Sequence, residues 1–147
     1  MTISRILVPI DFGEASLTAL DRAIDLAAKL DASVVVVHVY ELPAPSPLPA
    51  GEFLAATPED HIRFIATMAD TLRGVLEARV HRGVELEALL REGRPWQVID
   101  ATAEEIGADL IVMGTREHGI LHALMGGIAE KVVRTATTPV LTIRGPD

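Results

Sequence analysis

The stretch RILVPIDFGEASLTALDRAIDLAAKLDASVVVVHVY, residues 5–40, decides the fold class. It begins with RILVPID (Arg5–Asp11) and ends with SVVVVHVY (Ser33–Tyr40), two short apolar segments that are rich in β-branched residues. Neither shows polar alternation, which is typical of parallel strands buried on both faces. The segment between them has apolar residues at helical spacing opposite charged ones, and these are Leu20, Ile24, Ala27 and Leu30. The stretch therefore predicts a β-α-β unit.

The same alternation continues downstream. VELEALLREG predicts a third strand that ends at Gly93, DLIVMG a fourth and TPVLTIR a fifth. RPWQVIDATAEEIGA predicts a helix that closes at Gly107, and ILHALMGGIAEKVVRTAT predicts the last helix. Strands that alternate with helices predict an α/β fold, a single domain with an open, five-stranded parallel sheet and helices on both faces.

A proline-rich segment interrupts this alternation at Glu41–Thr57. Prolines at positions 43, 45, 47 and 49 exclude both a helix and a central strand, so we expect an extended loop. It is either a surface connector or a mobile lid over a site. The next helix is expected to begin with Thr57 as N-cap and Pro58 in its first turn. Its buried stripe is predicted to comprise Ile62, Ile65, Ala69, Leu72 and Leu76.

Composition limits the classes of partner. The 147 residues are 49% hydrophobic and carry a formal net charge of −8, which opposes binding to nucleic acid or to anionic membranes. Aromatic residues make up 3% of the chain, too few for a base-stacking platform. There is no cysteine, and the N-terminal apolar run is too short for a signal peptide or a membrane span. A cytoplasmic location is expected.

Three predicted strand ends carry chemistry that suits a ligand. In open α/β sheets, ligands bind beyond the carboxyl ends of the strands, where the strand order reverses. If the first and fourth strands are neighbours, these ends converge on one crevice, whose expected lining is Pro9, Ile10, Asp11, Val39, Met113, Gly114 and Thr115. Asp11 is expected to accept hydrogen bonds from a sugar hydroxyl or base amine, to stabilise the following helix as an N-terminal acid, or to do both.

The chain resembles the universal stress protein family over nearly its whole length. The resemblance lies in RILVPIDFGEAS, in VVVVHVYE, in EGRPWQVIDATAEEIGADLIVMGT and in AEKVVRTATTPVLTIR, which occur in the family's order and spacing. It implies one universal stress protein domain over residues 1–147, an adenine-nucleotide alpha-hydrolase-like fold and the strand order 3-2-1-4-5. The family contains members that bind ATP and members that do not bind it and act as dimers.

ATP-binding members share a loop of the form G-x2-G-x9-G-S/T after the fourth strand, and this chain departs from that pattern. Gly114 fits the first glycine, but Glu117 stands at the second. An ungapped count puts the third glycine at Gly127 and the hydroxyl position at Ile128. With one deletion the third glycine is Gly126, the hydroxyl position is Gly127, and Gly119 replaces the second glycine. Both counts lack the hydroxyl.

These departures predict a degraded phosphate loop. A carboxylate beside a polyphosphate is repulsive, and losing one hydrogen bond to a charged oxygen costs about 1.5–3 kcal/mol. The backbone N–H groups near Gly126 and Gly127 and the guanidinium of Arg116 remain as phosphate ligands. ATP or AMP is thus the cofactor that the resemblance implies, and AMP is expected to fit better. A nucleotide-independent dimeric interaction protein is the alternative function, and a slow ATPase is a third.

Other chemistry finds little support. His118 and His122 have the i, i+4 spacing of helical metal ligands, but no third ligand follows at a suitable spacing, so no metal is expected. Because no serine has the surroundings of a nucleophile elbow and no Walker loop is present, the chain is expected not to be an enzyme. His38 is interpreted as a core or strand-end histidine that bonds to the backbone.

The protein is predicted to form a homodimer through its last strand. This strand is expected at the edge of the sheet, where an apolar strand favours pairing with a second copy. Family members dimerise through this strand. The expected interface residues are Val140, Leu141, Thr142 and Ile143.

Overall fold

The computed structural model describes residues 1–42, 44–79, 82–115 and 127–146. The strands are β1 (Arg5–Pro9), β2 (Ser33–Tyr40), β3 (Ser46–Pro47), β4 (Phe53–Leu54), β5 (Leu86–Glu92), β6 (Leu110–Thr115) and β7 (Val140–Arg144). The helices are α1 (Glu14–Leu30), α2 (Pro58–Glu77), α3 (Pro95–Ile106) and α4 (Ile128–Thr135). The predicted alternation of strands and helices is confirmed.

Five parallel strands form the sheet, in the order β5-β2-β1-β6-β7. Among these five strands alone, the chain order reads 3-2-1-4-5. The labels differ from the expected ones because β3 and β4 form a separate antiparallel pair within the segment that was predicted to be an extended loop. The first and fourth strands of the sheet are neighbours, as the expected crevice requires.

Helices cover both faces of the sheet. One core cluster joins α1 to the face that carries Val8, Val36 and Val112. The other joins α3 and α4 to the face that carries Leu7 and Ile111. Alternate residues of each central strand therefore enter opposite clusters, and this is why β1 and β2 lack polar alternation.

Helix boundaries follow the predicted signals. Thr57 is the N-cap of α2, and its hydroxyl accepts the N–H of Asp60 at 3.1 Å while the Asp60 carboxylate accepts the N–H of Thr57 at 2.9 Å. Gly107 ends α3 in the left-handed conformation with φ 65°. Such a C-cap favours glycine, because glycine has no Cβ to clash.

Two residues of the predicted buried stripes are exposed instead. Leu30 is 42% exposed because it is the last residue of α1, beyond Ala27. Ile62 is 67% exposed, and Leu72 is the buried residue of α2. The residues of α2 that pack in the core lie in its C-terminal half, and these are Leu72, Val75 and Leu76.

Candidate functional site

The carboxyl ends of β1 and β6 part from each other. Their pairing comprises Ile6 with Leu110 and Leu7 with Ile111. In contrast, β1 stays paired with β2 as far as Pro9 and Val37, and Ile10 N–H still donates to Val37 O at 2.9 Å. The chain leaves β1 toward α1 on one face and leads from β6 to α4 on the other. This is the topological switch point at which open α/β sheets bind ligands.

Apolar side chains from the predicted set lie at this switch point. Met113 is 5% exposed and belongs to the cluster on the α3 and α4 face, against which Val39 packs half-buried. Pro9 is also buried. Ile10 belongs to the cluster on the opposite face, under α1. The structure therefore brings Val39 and Met113 to one face and separates Ile10 from them.

Asp11 is held in a fixed orientation between β1 and α1. Its Oδ1 accepts the backbone N–H of Gly13 at 2.8 Å and the hydroxyl of Ser16 at 2.8 Å. Its own N–H donates to Ser16 Oγ at 3.1 Å. Because Gly13 is the N-cap of α1, the carboxylate satisfies a helix-terminal N–H, and the helix-stabilising interpretation of Asp11 is confirmed.

The turn that follows Asp11 contains a residue in a rare conformation. Phe12 has φ 65°, a left-handed conformation that costs a side chain with a Cβ about 1–2 kcal/mol. Its ring lies 4.5 Å from the ring of His38, centroid to centroid. His38 Nδ1 donates to Ile10 O at 2.8 Å, so the backbone interpretation of this histidine is confirmed. These contacts hold the turn between β1 and α1.

Gly114 has a packing role that the sequence interpretation missed. A Cβ at this position would lie 2.4 Å from Ala15 O and 2.8 Å from Ser16 N. A Cβ at Gly145 would lie 2.6 Å from Ala15 Cβ. The two glycines therefore let the first turn of α1 rest directly on β6 and β7. Thr115 follows, half-buried, and its carbonyl accepts the N–H of Gly145 at 3.1 Å.

Of the predicted phosphate-binding residues beyond Thr115, the structure describes Gly127. This residue is the exposed N-cap of α4, with φ −66° and open space where a Cβ would lie. Glu130 in the first turn pairs with Arg134 at 2.7 Å. The other residues that the sequence analysis considered in this loop lie outside the described residues, and these are Arg116, Glu117, His118, Gly119, His122 and Gly126.

Two carboxylates among the described residues have lowered pKa values. Asp109 directly precedes β6, at the amino ends of the strands and thus opposite the crevice. Hydrogen bonds from the N–H and hydroxyl of Ser4 and from the N–H of Arg5 lower its pKa. The pKa of Asp60 is lowered by its bonds to Thr57 in the α2 cap. In the part of the chain that the structure describes, no three acidic, histidine or cysteine side chains come together as metal ligands.

Comparison with known proteins identifies the family. The family model described as the universal stress protein family matches residues 2–144. The chain belongs to the universal stress protein family. It is 31% identical over 150 residues to a universal stress protein of Methanocaldococcus jannaschii, and the match covers 97% of this chain and 82% of the relative.

Among the described residues, no helix combines the length and apolarity that a membrane span requires.

Solved universal stress proteins share the fold. A family member from Burkholderia pseudomallei superimposes with a TM-score of 0.73 at 30% identity, covering 97% of this chain and 96% of the other. A universal stress protein from Archaeoglobus fulgidus, solved in complex with dAMP, superimposes with a TM-score of 0.61 at 25% identity. That match covers 97% of this chain and 99% of the other.

Proposed function

We propose that this universal stress protein binds an adenine nucleotide in the crevice between β1 and β6 and acts as a stress-response regulator. The observation that carries the proposal is the parting of these strands beyond Leu7 and Ile111, with Asp11 fixed beside the opening. Apolar walls and one oriented carboxylate suit a flat heterocycle that is attached to a hydroxylated sugar.

The adenosine part of the ligand is assigned to residues at the strand ends. Pro9, Val39 and Met113 would supply the apolar walls, and Gly114 and Thr115 the backbone edge. Asp11 would accept a hydrogen bond from a sugar hydroxyl or from the base amine. The Archaeoglobus fulgidus relative, solved with dAMP, supports an adenine nucleotide as the ligand class.

The phosphate part is assigned to the N-terminus of α4. Unpaired N–H groups in the first turn of a helix attract anions. Gly127 leaves this terminus open, but it provides no hydroxyl. Arg116, Gly119 and Gly126 complete the proposed phosphate ligands. Because Glu117 and the missing hydroxyl weaken the grip on a polyphosphate, AMP is proposed to bind at least as tightly as ATP.

Calorimetric titration tests this function. Wild-type protein should release heat with AMP, ATP and cyclic AMP, and GMP serves as the control nucleotide. Asp11→Asn should weaken AMP binding about tenfold, because a charged acceptor is lost. Asp31→Asn is the matched control, since Asp31 lies at the opposite end of α1 in a left-handed conformation that asparagine also tolerates. The proposal would be contradicted if millimolar nucleotide produced no heat in the titration and no shift of the melting temperature.

A second function rests on the outer strand of the sheet. β7 is one of the two edge strands of the five-stranded sheet, and Leu141 is 42% exposed on it. We propose that this strand pairs with a second copy, and that the dimer surface acts independently of nucleotide. The proposed interface residues are Val140, Leu141, Thr142 and Ile143. Dimer formation without any nucleotide binding would favour this function over the first.

The proposed role is binding in the cytoplasm, without catalysis. The absence of cysteine agrees with a reducing compartment. The alternative, a slow ATPase, predicts phosphate release from ATP that Asp11→Ala abolishes. A steady release rate above the uncatalysed background, lost in that variant, would replace the binding role with an enzymatic one.

A further inference from the structure

We infer that Ser16 is a positioning residue for the nucleotide site, because it orients the Asp11 carboxylate; this inference rests on the proposed function. Ser16 is 7% exposed, and it and Thr102 are the buried polar residues of the described chain. A buried hydroxyl needs hydrogen-bond partners. Ser16 finds its partners on both the backbone and the side chain of Asp11.

The bonds around Ser16 form a closed ring. Asp11 N–H donates to Ser16 Oγ at 3.1 Å, and the Ser16 hydroxyl lies 2.8 Å from Asp11 Oδ1. Oδ1 also accepts the N–H of Gly13 at 2.8 Å, and Ser16 Oγ lies 3.0 Å from Gly13 O. Two donors thus converge on the same carboxylate oxygen, which fixes the rotation of the carboxylate about its χ angles.

The backbone places this ring beside the crevice. Ser16 lies in the first turn of α1, and its N atom would be 2.8 Å from a Cβ at position 114. The lack of a side chain at Gly114 therefore allows the Ser16 turn to approach the end of β6. A preorganised acceptor loses less freedom when a ligand binds, so Ser16 should raise affinity without touching the ligand.

The first test requires no ligand. Amide hydrogen exchange is measured on wild type, Ser16→Ala and Thr18→Ala. Thr18 is the matched control, because its hydroxyl bonds only locally, to Glu14 O at 2.9 Å, one turn away on the same helix. Ser16→Ala should accelerate exchange at Asp11 and Gly13 about tenfold, whereas Thr18→Ala should leave both unchanged. If the amides of Asp11 and Gly13 exchange as slowly in Ser16→Ala as in wild type, the inference is overturned.

The second test is a double-mutant cycle with AMP. Ser16→Ala should weaken AMP binding about three- to tenfold in the wild-type background, and less than about twofold in the Asp11→Ala background. A merely structural role of Ser16 would weaken binding equally in both backgrounds and would overturn the inference. If wild type binds AMP and Ser16→Ala binds it equally well, the inference also fails, while the proposed function stands. If wild type binds no nucleotide, the proposed function fails, and the ligand role of Ser16 fails with it.

Discussion

Gly114 at the end of β6 and Ala15 in the first turn of α1 are in direct backbone contact. The distance from an added Cβ at position 114 to Ala15 O would be 2.4 Å, and the Ala15 carbonyl carbon would lie at 2.5 Å. Backbone atoms of a helix cannot give way as the end of a flexible side chain can. This contact fixes the N-terminus of α1, and with it Asp11, against the fourth strand of the sheet.

Gly114→Ala should therefore destabilise the fold. We expect a loss of about 1–3 kcal/mol in the free energy of unfolding, as is typical of overpacked positions. Urea denaturation measures it. Gly74→Ala is the matched control: Gly74 lies within α2 with nothing within 4 Å of an added Cβ, and this change should stabilise the protein by about 0.5–1 kcal/mol. If Gly114→Ala is as stable as wild type, the close contact between Gly114 and the backbone of Ala15 is contradicted.

The contrast between Gly114 and His38 shows what the sequence could and could not predict. Apolar runs and caps gave the strands, the helices and the convergence of their ends, because these signals are local. The backbone bond of His38 was predicted from its place on an apolar strand. The packing role of Gly114 was missed, because its neighbour Ala15 lies about 100 positions away in the chain and contact between distant segments leaves no local pattern.

The same limit explains why the bonds of Ser16 and the exposure of Ile62 could not be predicted from the sequence. The bonds of Ser16 to Asp11 could not be predicted, because they form across a turn in which Phe12 is left-handed, and no local sequence signal indicates that conformation. Ile62 fits the apolar period of α2, but the period does not reveal which turns of a helix pack in the core. In α2 the residues that do so are Leu72, Val75 and Leu76 of the C-terminal half.

Gly127→Ser should strengthen the phosphate end of the proposed site. Serine at the N-cap of α4 has room for its side chain, and it would cap the helix and supply the missing hydroxyl. We expect a stability gain of a few tenths of a kcal/mol, and about tenfold tighter ATP binding. Thermal melts and titration calorimetry measure the two effects.

Gly127→Asp separates the effect on stability from the effect on ATP. Aspartate caps a helix about as well as serine, but its carboxylate repels phosphate. The aspartate variant should thus match the serine variant in stability and bind ATP more weakly than wild type does. Unchanged ATP affinity in Gly127→Ser would contradict the alignment that places the hydroxyl position at Gly127.

Asp109 should make stability depend on pH in the acid range. Three hydrogen bonds from Ser4 and Arg5 lower its pKa in the folded protein below the ordinary value of 3.8. A lowered folded-state pKa contributes stability that is present above the unfolded value and is lost as the pH falls through the folded value. Urea midpoints of wild type and Asp109→Asn should therefore differ at neutral pH, begin to approach each other near pH 3.8 and converge only below the lowered folded-state pKa of Asp109.

Ser4→Ala calibrates that result. It removes one of the three donors to Asp109 and keeps both backbone N–H groups. Each protein should lose stability between neutral and acid pH. The loss should be largest in wild type, smaller in Ser4→Ala and smallest in Asp109→Asn. A pH dependence that is identical in all three proteins would show that Asp109 is not responsible for it.

Leu141→Lys should dissociate the proposed dimer. In a symmetric pairing of two β7 strands, each substituted position faces the equivalent strand of the other copy, so like charges are brought together at an apolar edge. Sedimentation velocity should show a dimer for wild type and a monomer for the variant. Leu54→Lys is the matched control, because Leu54 is 63% exposed on the separate β3-β4 pair and should leave the dimer intact. Dissociation by both variants would indicate a general effect of charge, and a monomeric wild type would remove the role of β7 as an interface.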